Sequence, residues 1–356
     1  MANKTPMLSQ CEQIKAEYES LKTLKQEFDL ERQKAVETGN LTRAKELKTE
    51  LEQKREALSE KLSISPDKAR EILGKKKVLG YQEAERIFGI KLKPEQIPKI
   101  PFKREDLERA KGLNQMLILQ VDTMKNKKGE LVPVTLENLK SEFPKAHDGK
   151  KMWYEQNWYD NEDFFKNETP KVGWKLVSRE IIPDSTSKNY LEQTEIIISH
   201  IKKEIFQDQP IPPIYQEAID EFESQRSDIA KIIDSDWKSA ADKLEKLQIT
   251  QLARESPVEA MYRLILQDQE NKEKLFPSQY TWTLRRDSGG RFVAVGYFDS
   301  DGADVNRNTS DNRNDNLGVS FSRSVCLAKF FWRGFLLCFL SIRRSFSQFQ
   351  RFFPIF

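Results

Sequence analysis

From Leu8 to Leu62 the apolar residues recur in steps of three and four, a spacing that only a helix converts into one continuous face. The first stripe is Cys11, Ile14, Tyr18, Leu21, Leu24 and Phe28, with Glu and Lys filling the opposite side. Gly39-Asn40 interrupts it, since both residues tolerate the left-handed conformation that ends a helix. A second stripe follows at Leu41, Ala44, Leu47, Leu51, Leu58 and Leu62. Two helices with narrow stripes and a short turn bury those stripes most simply against each other, so residues 1–64 are expected to form an antiparallel helical hairpin, a coiled coil. Its simplest role is a spacer or a self-association arm. The Lys residues are interleaved with Glu as i,i+4 partners, which argues against a nucleic-acid face.

Residues 65–101 read as short helices and a linker. Ser65-Pro66-Asp67 is a helix start, Tyr81–Phe88 a short amphipathic helix stopped at Gly89, and Pro94, Pro98 and Pro101 mark extended chain. The boundary is placed there, and residues 102–324 form the expected main domain. Leu113–Val121 and Gly173–Ile182 are strand candidates. Helices are expected near Asn189–Phe206, Pro213–Ile233 and Asp236–Leu252, with a fourth from the Ser256-Pro257 cap to Gln269. Strands follow at Tyr280–Leu284, Arg291–Phe298, Asp304–Asn306 and Leu317–Arg323, separated by Ser288-Gly289-Gly290 and Asp301-Gly302 turns. Helices first and a β meander last predict an α+β domain.

Composition narrows the chemistry. Lys+Arg number 59 and Asp+Glu 56, a net charge of +3 that is too balanced for a nucleic-acid binder. Cys11, Cys326, Cys338, His147 and His200 are too scattered for a zinc finger, and the sparse cysteine fits a reducing compartment. The polar opening MANKTPMLSQ lacks the pattern of a secretory signal, so a cytoplasmic location is expected. Neither GxxxxGK[ST] nor GxGxxG occurs, no nucleophile motif accompanies either histidine, and no cofactor is expected. The aromatic group Trp153, Tyr154, Trp158, Tyr159, Phe164, Phe165 and Trp174 reads as core beneath a loop-rich segment rather than as a stacking surface.

The candidate site is Asn-rich. Five asparagines, Asn306, Asn308, Asn312, Asn314 and Asn316, fall within eleven residues. Strands disfavour Asn, and here it alternates with Arg and Asp near Gly-containing turns. Such a stretch is expected to present amides and charges to solvent or to a ligand, in the manner of adaptable binding loops, with an ordinary polar turn as the plainer reading. Asp299, Asp301 and Asp304 miss the EF-hand spacing, because Ala303 stands at the fifth position and the Gly at the fourth.

Val325–Phe356 is compositionally foreign, with five basic residues, no acidic one and nine of the 21 phenylalanines. Lys329 and Arg333 interrupt its apolar run, so a membrane anchor, an interfacial segment and a non-native extension all stand as readings.

The ending Asn312-Arg313-Asn314-Asp315-Asn316-Leu317-Gly318-Val319 resembles the final strands of the formylglycine-generating-enzyme type of C-type-lectin fold. More narrowly, with FFKNETPKVGWKLVS, IIPDSTSKNYLEQTE, SPVEAMYRLI and SQYTWTLRRDSGGRFVAVGYFDSDG, it resembles the variable target proteins of diversity-generating retroelements. In that family a reverse transcriptase copies a template with errors at adenines, and Asn codons are adenine-rich. The resemblance implies a non-enzymatic protein that binds a protein or glycan ligand through a variable region at about 296–324. The variable positions it implies are Asp304, Asn306, Arg307, Asn308, Asp311, Asn312, Arg313, Asn314 and Asn316. Trp282, Val293, Val295, Tyr297, Leu317, Val319 and Phe321 are the implied fixed scaffold. The lectin-fold oxidases use paired cysteines that have no counterpart before Cys326, so no enzyme activity is expected. The alternative is a coiled-coil scaffold with no diversified site.

Overall fold

The computed structural model describes residues 5–324 except 39, 63, 94 and 95. The readings made for Val325–Phe356 lie outside the described residues. The fold is α+β, 48% helix and 17% strand. It divides into two compact units, one of Met1–Ile72 with Lys99–Glu108, the other of Leu73–Pro98 with the chain from Arg109 onward.

In the first unit α1 (Thr5–Thr38) is followed by α2 (Thr42–Leu62). Asn40 Oδ1 accepts the Thr42 N–H at 3.1 Å, which caps the start of α2. Leu24 and Ala35 of α1 are buried, as are Ala44 and Leu47 of α2. Arg43 pairs with Glu27 from one helix to the other at 3.0 Å. The next helix, α3 (Pro66–Leu73), opens at Ser65, whose hydroxyl accepts the Lys68 N–H at 3.2 Å. Ile64 and Ile100 form an isolated antiparallel bridge that ties the two stretches of this unit together.

The second unit takes in residues 73–98 because β1 (Val78–Leu79) pairs in parallel with β2 (Gln115–Gln120). Between these strands lie α4 (Tyr81–Phe88) and α5 (Arg104–Gly112). The short hairpin β3 (Thr123–Lys125) and β4 (Leu131–Pro133) comes next, then α6 (Leu136–Glu142) and α7 (Asp163–Lys166). Strand β5 (Gly173–Ser178) runs antiparallel to β2 over its full length.

The helical run then holds α8 (Tyr190–His200), a wider π-helical turn at Ile201–Ile205, and α9 (Pro213–Ile232). The helix expected over Asp236–Leu252 is broken in two, α10 (Trp237–Lys246) and α11 (Gln248–Ala253). Buried Leu247 is extended at the break. The hydroxyl of Thr250 and the amide of Gln251 turn back onto the Leu244 and Glu245 carbonyls, satisfying the end of α10.

The β-rich end forms one sheet in the order β8–β7–β6–β9, from β6 (Tyr280–Arg286), β7 (Phe292–Asp299), β8 (Gly302–Asn308) and β9 (Leu317–Gly318). The closing strand expected over Leu317–Arg323 changes sheets. Its first part, β9, lies parallel to β6, and its second part, β10 (Ser322–Arg323), pairs antiparallel with β5. Ser320 makes the crossing, its N–H donated to Thr281 Oγ1 at 2.8 Å.

Strand alternation separates two apolar cores. Val293, Val295, Ala303 and Val305 face one, while Phe292, Ala294, Leu317, Val319 and Phe321 face the other, with the helices α8 to α11. The first core is built on α12 (Pro257–Asn271), opened by a reciprocal capping box between Ser256 and Glu259. Every residue from Pro257 to Asp268 is buried. A helix buried on all sides must satisfy its polar members internally. Arg263 grips Glu255 through Nε at 3.0 Å and through Nη2, and donates Nη1 to the Ser178 carbonyl at 3.0 Å. Glu259 pairs with Lys175 at 2.5 Å. Tyr262 donates to the Leu119 carbonyl at 2.8 Å and stacks on Phe88 at 4.7 Å. Among the described residues no helix is long and apolar enough to cross a membrane.

Removing one member of a buried pair strands the other charge, at a cost of about 3–5 kcal/mol, whereas an exposed pair contributes under ~1 kcal/mol. Glu255→Gln is therefore expected to lower the urea-unfolding free energy by roughly that larger amount. Glu223→Gln, which breaks the exposed 2.9 Å pair with Lys202, is expected to leave it nearly unchanged. Similar losses in both variants would contradict the assignment.

Candidate functional site

The Asn-rich stretch occupies β8 and the connection from it to β9. The β7–β8 turn is set by Asp299 Oδ1, which accepts the Asp301 N–H at 2.8 Å. Gly302 follows at φ +108°, and a Cβ there would meet the main chain of Trp153 and Tyr154 at 2.4 and 2.6 Å. That close approach covers the outer edge of β8. Tyr154 N–H donates to the Ala303 carbonyl at 2.9 Å, and Trp158 Nε1 to the Val305 carbonyl at 3.0 Å. An edge strand that is otherwise open to pairing is thereby closed.

Along β8, Asp304, Asn306 and Asn308 lie opposite Gly296, Ala294 and Phe292 of β7. Asp304 is buried, at 7% exposure, and accepts from Tyr280 Oη at 2.6 Å, from Asn306 Nδ2 at 3.3 Å and from Gln156 Nε2. Burial pushes its carboxyl above the ordinary carboxylate range, while these hydrogen bonds pull the other way. Arg307 points to the opposite face, where it pairs with Asp287 at 3.1 Å and lies 4.4 Å from the Trp158 ring centroid.

Beyond Asn308 the main chain is anchored at several points. Ser310 is buried, its hydroxyl donating to the Trp237 carbonyl at 2.7 Å and its own carbonyl accepting the Tyr190 N–H at 3.0 Å. The Asn314 carbonyl accepts from Ser187 N–H at 2.9 Å, and the Asn316 carbonyl from Tyr280 N–H at 2.8 Å. The asparagine side chains here make only local links: Asn312 Nδ2 donates to Asn308 Oδ1 at 3.3 Å, and Asn312 Oδ1 accepts the Asn314 N–H at 2.9 Å. Arg313 reaches further, to Asp234 at 3.0 Å and Glu192 at 3.3 Å. Asp311 is half-buried.

The nine sequence-predicted positions thus fall into groups. Asp304 and Asn306 join each other, as do Asn308, Asn312 and Asn314. Arg307 and Arg313 are committed to separate ion pairs, Arg313 also donating to the Asp311 carbonyl at 3.2 Å, and Asn316 stands apart just before β9. Asp299 and Asp304 are each engaged by different neighbours, and among the described residues no group of three His, Cys, Asp or Glu side chains is placed to hold a metal ion.

Tyr297, one of the residues implied as fixed scaffold, is 37% exposed, with φ +46°. The cause is a register shift in β7 after Gly296. The bulge inverts the alternation, so that Phe298 takes the core position and Tyr297 turns outward, its ring 5.4 Å from that of Tyr280. The other six expected scaffold residues are buried. Sequence reasoning passed over Tyr280 and Gln156, which organise Asp304. The Gly296-Tyr297 pair was the available signal, because a glycine inside a strand often marks a bulge.

Trp153, Tyr159, Phe164, Phe165 and Trp174 are buried, Trp158 is half-buried, and Tyr154 is exposed. His147 Nδ1 lies 2.6 Å from Asp268 Oδ1, and His200 sits edge-on to Phe321. Compared with protein-family models, with curated proteins and with solved structures, the chain shows no significant match.

Two measurements follow from this geometry. Asn314→Ser and Asn316→Ser are expected to change stability by less than ~0.5 kcal/mol, because the main chain does the anchoring. Ser310→Ala is expected to cost about 1–2 kcal/mol for the stranded Trp237 carbonyl. A larger loss in the Asn variants than in Ser310→Ala would show that the amides hold the loop. Burial lowers the His200 imidazole, opposed by Glu204. The unfolded chain, titrating near pH ~6.5, then takes up the proton first, so stability falls as pH drops below that point. His200→Gln is expected to lose less stability than the parent between about pH 7.5 and 5.5. Equal losses would exclude His200 as a cause.

Proposed function

We propose that the protein is a non-enzymatic binding protein, displaying a variable Asn-rich surface on a C-type-lectin-like scaffold and diversified by a retroelement. The ligand would be a protein or a glycan, met by the amides and charges from Asp304 to Asn316. One observation carries this reading. The stretch from Thr309 to Asn316 is held by partners on α8, α10 and β6 and in the segment before α8, while at Asn314 and Asn316 the main-chain carbonyls, not the side-chain amides, are the anchors. A rigid backbone under changeable side chains lowers the ordering cost of binding. Gly318 belongs to the fixed part, since a Cβ there would meet Ile181 Cδ1 at 2.7 Å and Ser185 Oγ at 2.8 Å.

The helical arm favours a second, compatible role. Tyr18, Leu30 and Leu41 are exposed on or beside α1 and α2, a pattern that suits self-association of a coiled coil in the cytoplasm.

Sequencing many natural copies of the gene over the codons for 296–324 tests the main reading. Substitutions are expected to concentrate at positions 304, 306–308, 311–314 and 316, with Leu317, Gly318 and Phe321 constant. A uniform sequence with no neighbouring template repeat would overturn diversification, and the helical arm would then be the better account of function.

A further inference from the structure

Among the described residues seven non-glycine positions have positive φ, and two of them are aromatic, Phe276 and Tyr297. A left-handed backbone is costly under a bulky side chain, so each calls for something that offsets it. Phe276 is buried in the first core, where packing supplies the offset. Tyr297 is 37% exposed, and among the described residues its hydroxyl has no hydrogen-bond partner and its ring meets no aromatic ring but that of Tyr280. The bulge does not itself call for tyrosine. Main-chain bonds fix it, from Tyr297 N–H to the Gln279 carbonyl at 2.7 Å and from Phe298 N–H to the Phe276 carbonyl at 3.0 Å. Asn or Gly would hold φ +46° with less strain. Bulges re-aim side chains, and this one delivers a large ring to the surface.

The place it reaches is specific. Leu317, Tyr280, Gly296 and Asp304 form one row across β9, β6, β7 and β8. Gly296 adds no side chain to that row, which leaves Tyr280 free to reach over β7 and donate to Asp304 at 2.6 Å. The Tyr297 ring lies on the Tyr280 ring at an interplanar angle of 22°. Asn306, two residues along β8 and so on the same face, donates to the same carboxylate, and the Asn316 carbonyl accepts the Tyr280 N–H. The tyrosine pair therefore stands between the two ends of the Asn-rich stretch.

We infer that Tyr297, backed by Tyr280, is a constant ligand-binding residue, the floor on which a neutral saccharide ring stacks. This rests on the binding role proposed above, but not on diversification. A pyranose has an apolar face of C–H bonds and a rim of hydroxyls that both donate and accept. An exposed phenol ring suits the first, while its hydroxyl and the neighbouring amide of Asn306, which can give and take hydrogen bonds, suit the second. Asp304 is already met by three donors and Arg307 points to the opposite face, so neither charge of β8 is left to select an ionic ligand. Tyrosine supplies this contact area at a low entropy cost, since only two χ angles are ordered.

The test is saturation-transfer NMR of the full chain with the methyl glycosides of glucose, galactose, mannose and N-acetylglucosamine, alongside thermal unfolding. Transfer to the ring C–H protons of at least one glycoside is expected. Tyr297→Asn is expected to weaken that binding about tenfold or more while unfolding at or above the parent's midpoint, because it removes the ring and relieves the backbone. Tyr297→Phe, which keeps the ring, is expected to retain binding within about threefold. No transfer from any of the four glycosides, unchanged affinity in Tyr297→Asn, or a lowered midpoint in that variant would each overturn the inference, the last by showing that the ring is structural. The two readings fail separately. Codons that vary around constant positions 280 and 297, without glycoside binding, would overturn this inference and leave diversification standing. Glycoside binding that depends on Tyr297, in a gene that never varies, would support this inference and overturn diversification.

Discussion

The second unit depends on the burial of α12. Its first twelve residues are inaccessible on every side, so the helix cannot export its polar groups to water and each must be met by a partner fixed elsewhere. Arg263 is met by Glu255 and the end of β5, Glu259 by Lys175 of β5, and Asp268 by His147, whose backbone N–H and ring both reach its carboxylate. These contacts draw in chain segments more than eighty residues apart. They are directional where apolar packing is not, so they fix the rotation of the helix as well as its depth.

The closing strand couples the two larger sheets. Because β9 belongs with β6 and β10 with β5, the seven residues from Leu317 to Arg323 tie the Asn-rich edge to the sheet that flanks α12. Ser320 stands at the crossing, bonded to Thr281 and within reach of Arg263 Nη2 at 3.4 Å. The end of the Asn-rich connection is therefore clamped by the same network that holds the buried helix.

Much of this was legible in the residues. The apolar run within the expected strand Arg291–Phe298, the Asp-Gly turn and the Ser256-Pro257 cap are local signals, and local signals survive in sequence. What escaped depends on distance. Nothing in Val78-Leu79 distinguishes a two-residue strand from a turn, since its role comes from pairing with β2 nearly forty residues later. Leu247 breaks a helix in the midst of good helix formers because Thr250 and Gln251 offer the preceding turn another set of partners. Tyr297 is turned outward by the register shift after Gly296, which depends on the pairing with β8. Arg254 and Glu255 are adjacent and both charged, a pair that reads as solvated surface, yet both are buried.

The Asn-rich edge shows why composition and location had to be weighed apart. Asparagine disfavours strands because its amide competes for backbone partners, and along β8 that tendency is contained rather than absent. Asn306 Oδ1 accepts the Arg307 N–H at 2.7 Å, and Asn312 does the same for Asn314. The first lies within β8 and the second has the i to i+2 pattern of a turn, so part of the stretch is shaped by its own amides. The main-chain anchors at Ser310, Asn314 and Asn316 owe nothing to side-chain identity except at Ser310 itself. Tolerance to substitution should therefore grade along the edge. It is least at Asp304, buried among Tyr280, Gln156 and Asn306, intermediate at Asn306 and Asn312, and greatest at Asn314 and Asn316. On the proposed binding role, the ligand-facing centre would therefore lie toward β9 rather than at the β7–β8 turn.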